Sequence, residues 1–136
     1  MSENLPDRRD ATNVHDYLGI TTVEATADRV VLQLTVTPHV HHPYGIMHGG
    51  VSALLAEGAA SLGGVVSVAP DHVVVGTELN ISHLRPAKSG VVTATATPIR
   101  KGRTVHVWGI EITDERGRLI STGRCSMQVV VAPTSN

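Results

Sequence analysis

Between Gly49 and Ala69 the chain carries a single ionisable side chain, Glu57. With five glycines, the stretch is too weakly hydrophobic for a convincing membrane span. Its pattern predicts a helix from about Gly50 to Ser67. At about 100° per residue, Val51, Leu54, Leu55, Leu62, Val65 and Val66 gather on one side, and the other is nearly all Ala, Gly and Ser. Glu57 lies on the small-residue flank, near Ala53, Ser61 and Gly64, with Gly50 two turns back. Gly inside a helix costs about 1 kcal/mol relative to Ala, so Gly63 and Gly64 point to tight packing. A helix so poor in charge has to be enclosed by the rest of the chain.

The rest of the chain reads as strands. In Val30 to Val36, Val30, Leu32, Leu34 and Val36 share one face against Val31, Gln33 and Thr35, a period of two. Asp28 and Arg29 mark a hairpin turn to a preceding strand near Thr21–Ala25. Four more strands follow the helix, at Val73–Leu84, Val91–Ile99, Thr104–Thr113 and Leu119–Val131. Turns at Lys88-Ser89-Gly90, Lys101-Gly102-Arg103 and Asp114-Glu115-Arg116-Gly117 separate them. One helix and a long antiparallel meander exclude a doubly wound sheet. The expected architecture is α+β, a curved antiparallel sheet wrapped around one long central helix. The 136 residues favour one domain, over 19–131. A polar tail over 1–18, with a helical turn at Val14–Leu18, and a frayed tail over 132–136 flank it.

Composition narrows the function classes. There is no Phe, and Tyr17, Tyr44 and Trp108 are the only aromatics, so the core is aliphatic; Trp108 reads as a packing or interface residue. A formal net charge of -1 gives no electrostatic case for a nucleic-acid or membrane partner. Cys125 is the sole cysteine, which excludes an internal disulfide and reads as a small buried hydrophobe. Met1 to Asp10 lacks the apolar core of a signal peptide, and the cytoplasm is the expected location.

The loop Thr37–Gly50 holds two prolines, three glycines and four histidines. It delivers His42-Pro43-Tyr44-Gly45-Ile46-Met47-His48-Gly49-Gly50 to the start of the helix. The first helical turn offers unpaired N–H groups at the positive end of a dipole. Gly49 and Gly50 leave those donors unshielded, which suits an oxyanion. Glu57 lies about two turns farther along. A carbonyl polarised at Gly49 could thus meet a carboxylate, one from a neighbouring subunit's helix included. Two readings of Glu57 stay open: a group paired with Arg or Lys or facing water, or a base or nucleophile at a cleft. His39, His41, His42 and His48 could ligate a metal, but no Cys cluster or His-Glu-x-x-His pattern supports a closed site. As residues alone, His83 reads as structural, Ser61 as an ordinary helix residue and Lys101-Gly102-Arg103 as a solvated turn.

His48-Gly49-Gly50 followed by Leu55-Ala56-Glu57, after a Pro-Tyr-Gly turn, resembles the hotdog-fold acyl-CoA thioesterases. The similar branch holds the phenylacetate-pathway, hydroxybenzoyl-CoA and enterobactin or menaquinone proofreading enzymes. The resemblance runs from about Thr37 to Val131 and includes Val75-Gly76-Thr77-Glu78-Leu79-Asn80, His83-Leu84-Arg85 and Val107-Trp108-Gly109-Ile110-Glu111-Ile112. It implies hydrolysis of an acyl-CoA, with an aryl or arylacetyl group favoured over long chains. Glu57 would be base or nucleophile, and the Gly49 N–H would polarise the carbonyl. His48 would help organise that site, and Ser61 would position water. His42 stands where similar proteins often carry Gln or Asn. Arg85, Gly102 and Arg103 fall on coenzyme A-contacting segments, with His83 beside them. The resemblance implies no metal or separate cofactor, and a homo-oligomer, a dimer or a dimer of dimers (a homotetramer), with sites at the dimer interface. Hydration of an enoyl-CoA on the same fold would call for an Asp near the helix start, and none occurs in Thr37–Ser67. A non-catalytic acyl-CoA-binding module is the remaining alternative.

Overall fold

A computed structural model describes residues 12–133; of the expected tails over 1–18 and 132–136, residues 1–11 and 134–136 lie outside the described residues. The short helix α1 (Val14–Leu18) is capped by the Asn13 side chain and stopped by Gly19 at φ 74°. Strands β1 (Thr21–Ala25) and β2 (Val30–Val36) form the expected hairpin. The long helix α2 (Gly49–Ser67) precedes β3 (His72–His83), β4 (Gly90–Lys101), β5 (Val105–Thr113) and β6 (Leu119–Val131). One six-stranded antiparallel sheet curves around α2, as the resemblance implied.

The strand order corrects the expected meander. It is β1-β2-β4-β5-β6-β3, so β3 does not pair with β4. Its link to β4, Leu84 to Ser89 with Pro86 inside it, crosses instead of closing a hairpin. This leaves β2 to pair with β4 and puts β3 at the free edge, beside β6 alone. Most of β3 from Val75 onward is exposed.

The small-residue side of α2 is the side pressed on the sheet. Ser52, Ala56, Ala59, Ala60, Gly63 and Gly64 are buried with Leu55, while Val51, Leu54, Leu62 and Val65 are only half-buried. The bulk comes from the sheet instead. Trp108 is fully buried, and a Cβ on Gly63 would meet its ring. Val74 and Met127 press on Gly64 in the same way. A core without Phe is thus filled by one indole set into a groove of glycines and alanines. By length and mean hydropathy (1.3) α2 could cross a membrane, yet here it is the helix the sheet encloses.

Candidate active site

The loop before α2 is held by backbone bonds to its neighbours. The Met47 N–H donates to Ala87 O and the His48 N–H to Val40 O, both at 2.8 Å. Gly45, at φ 81°, makes the turn that lets the Gly45 N–H reach His42 O. Three of the four loop histidines have a local task. His41 Nε2 meets Lys88 O at 2.8 Å, and His42 Nδ1 accepts from the Tyr44 N–H at 3.0 Å. His48 is the N-cap of α2, its Nδ1 accepting from the Gly50 N–H at 2.8 Å. That cap satisfies the donor next to Gly49 and leaves the Gly49 N–H without a hydrogen bond among the described residues.

Gly49 lies in the wall of a cleft of about 450 Å³. His42, Ser52, His83, Arg85 and Ser121 supply its polar lining, Ile46, Met47, Ala87 and Ile120 much of the apolar part. His83 Nδ1 meets Ser121 Oγ at 3.2 Å, and its Nε2 turns toward the helix start. A Cβ on Gly49 would stand 2.7 Å from that Nε2, so only glycine leaves this approach open. Ser52 is 2% exposed and lines the cleft.

The cleft therefore gathers His42, Gly49, His83 and Arg85 of the sequence candidates, and not the others. Glu57 is exposed, eight residues and about 12 Å along α2. Its carboxylate leans over β3, where a Cβ on Gly76 would lie 2.8 Å from Oε2. No Lys or Arg pairs with it among the described residues. The buried Cys125 senses its charge: burial first and Glu57 second push the thiol up to about 11. Ser61 is half-buried, one turn beyond Glu57. Gly102 and Arg103 sit in the β4–β5 turn, near the other end of α2. There Lys101 Nζ donates to Ala27 O at 2.8 Å, and Ser67 Oγ to the same oxygen at 3.4 Å. With α2 about 28 Å long, Arg103 is remote from the cleft of its own chain.

Sequence reading passed over Ser52, Ser121 and Gly76. Gly76 carried a signal, an isolated glycine inside a strand pattern; the two serines carried none. Among the described residues no group of three or more His, Cys, Asp or Glu is placed to hold a metal ion.

Residues 44–121 match the thioesterase superfamily. A 1,4-dihydroxy-2-naphthoyl-CoA hydrolase from Listeria monocytogenes is 45% identical over 116 residues, 85% of this chain and 94% of its own length. The proofreading thioesterase EntH from Klebsiella pneumoniae is 38% identical over 114 residues, 84% and 83% of the two chains. The crystal structure of a thioesterase from Haemophilus influenzae superposes with a TM-score of 0.85 at 37% identity, covering 89% of this chain and 85% of that one. The matched residues include the end of the cleft-forming loop, the free Gly49 N–H, Glu57 and the β3 edge, and the chain belongs to the thioesterase superfamily, thioester hydrolases of the hotdog fold.

Proposed function

We propose that the protein hydrolyses an aryl- or arylacetyl-CoA to the free acid and coenzyme A at sites shared between two chains. One chain supplies the Gly49 N–H and the cleft, and the other supplies Glu57. The observation that carries this reading is the placement of the two groups on one helix. They stand about 12 Å apart, with Gly49 in the cleft and Glu57 over an unpaired strand edge.

A two-fold axis resolves that separation. Antiparallel pairing of two β3 edges about Asn80, with Thr77 of each chain left as the extra residue of its bulge, sets Gly76 of one chain opposite His83 of the other. Glu57 beside Gly76 then approaches Gly49 beside His83. The pairing also covers a 12-residue free edge, a liability if left open. Two such dimers could pair again into a tetramer. Light scattering should give a dimer or larger species, and a strictly monomeric protein with full activity would refute the shared site.

In this arrangement the thioester oxygen gains negative charge at the Gly49 N–H, where the α2 dipole also favours it. As a base, Glu57 takes a proton from a water positioned by Ser61. The water oxygen adds to the carbonyl carbon, the C–S bond breaks, and the coenzyme A thiolate leaves and takes up a proton. As a nucleophile, the carboxylate itself adds, expels the thiolate and forms an anhydride that water opens.

Two observations favour an aromatic acyl group bearing hydroxyls. The cleft is lined by Ser52 and by Ser121, whose hydroxyl meets His83, among Ile46, Met47, Ala87 and Ile120. The Listeria relative is named for a dihydroxynaphthoyl thioester. Free-thiol release across a panel of aryl, arylacetyl, short-chain and long-chain acyl-CoAs tests this. The expected order puts hydroxylated aryl thioesters first, and a preference for long chains overturns it.

The same axis brings the far end of one α2 toward the near end of the other, and with it Arg103. This exposed guanidinium makes no ion pair among the described residues. A phosphate contact remote from the thioester acts through uniform binding. Arg103→Ala should therefore raise KM for acyl-CoA more than it lowers kcat, and the effect should shrink with an acyl-pantetheine lacking the nucleotide. Equal effects on both substrates place Arg103 outside the phosphate site.

A further inference from the structure

A regular strand alternates faces, so residues an odd number apart point to opposite sides. Gly76 and His83 are seven apart on β3, yet both face α2: one lies under Glu57, the other against Gly49. The cause is a β-bulge. Gly76 pairs with Met127 and Glu78 with Ser126, which leaves Thr77 as the extra residue. Thr77 Oγ1 donates to Ser126 O at 3.0 Å and pins it. The extra residue shifts the alternation by one, and both ends of the strand turn inward.

Gly76 is not required by backbone conformation, since its φ is not positive. Space is the requirement. A Cβ there would stand 2.8 Å from Glu57 Oε2 and 3.0 Å from Cδ, inside the ~3.5 Å of favourable carbon contact. We propose that Gly76 is a positioning residue for Glu57: the missing side chain is the seat in which the carboxylate lies, and the Thr77 bulge aims that seat at the helix. This rests on Glu57 being the catalytic carboxylate.

The conflict a Cβ would create involves the far end of a flexible side chain. The carboxylate swings aside, and the strand backbone stays where it is. Gly76→Ala should therefore keep its oligomeric state and melting temperature while the reacting oxygen is displaced by about 1 Å, a shift that costs on the order of 10- to 100-fold in rate.

The test is a double-mutant cycle of Gly76→Ala with Glu57→Gln, read as kcat and KM for the best thioester of the panel. The expected result is a fall in kcat of about 10-fold or more for Gly76→Ala, with KM within about twofold, and no further fall when it is added to Glu57→Gln. A merely structural glycine would cost the same in both backgrounds, and that outcome overturns the assignment. So does wild-type kcat in Gly76→Ala. Loss of fold or of oligomeric state overturns it too, because the conflict is confined to one movable carboxylate. If Glu57→Gln alone keeps wild-type kcat, the catalytic reading of Glu57 has failed and the Gly76 inference falls with it.

Discussion

Glu57→Gln should lower kcat by about 10² or more while leaving KM nearly unchanged, since general-base catalysis alone supplies roughly that factor. The substitution keeps the size of the side chain and removes its charge and basicity. Ground-state binding should survive, because the cleft, the Gly49 N–H and the basic turn are untouched. Neutralising a carboxylate that is buried without a partner gives a small gain in stability. In the single chain the carboxylate is exposed, so that gain can come only from what a second chain covers. The melting temperature should accordingly equal or slightly exceed that of the wild type. Retention of wild-type kcat would remove Glu57 from the mechanism. Unfolding, or loss of the oligomer, would give it the role of a structural charge instead, against the absence of a Lys or Arg partner among the described residues.

The parts of the molecule that sequence disclosed are those governed by local pattern. The alternation of Val30, Leu32, Leu34 and Val36 became a strand with those four side chains buried. The charge-poor stretch became a 19-residue helix inside the sheet. Cys125 is fully buried, as a small hydrophobe should be. What stayed hidden depends on non-local pairing. Nothing within Val73–Leu84 says that its partner is β6, beyond β4 and β5 in the chain, and that choice makes β3 an edge. The bulge at Thr77 is a one-residue mismatch between two strands, and a single strand does not reveal it. Which side of α2 meets the sheet was also not local, because the matching bulk sits on β5 as Trp108. The candidate site divides along the same line. The helix start at Gly49 was legible from the glycines that follow His48. The distance of Glu57 from the cleft of its own chain needed the fold, as did the remoteness of Arg103 from that cleft.

Gly49→Pro separates the carbonyl-binding half of the site from the helix that carries it. Gly49 is the first helical residue after the His48 cap, a position where Pro is favoured because its missing N–H would be unpaired in any case. His48, at φ -63° and ψ 134°, already has the extended conformation that the residue before Pro requires. The added ring crowds Nε2 of His83, the far end of a movable side chain. The variant should keep its helix content and oligomeric state by circular dichroism and light scattering. Its kcat should fall by about 10² to 10³, the usual result of losing one oxyanion donor. Two variants that are each nearly inactive then test the shared site directly. When Gly49→Pro and Glu57→Gln chains are unfolded together and refolded, about half of randomly formed dimers are mixed, and each mixed dimer holds one intact site of two. Mixing should restore about a quarter of wild-type activity, where either variant refolded alone restores none. If Gly49 and Glu57 served the same reaction from within one chain, every site in every mixture would lack one of them, and no activity would return.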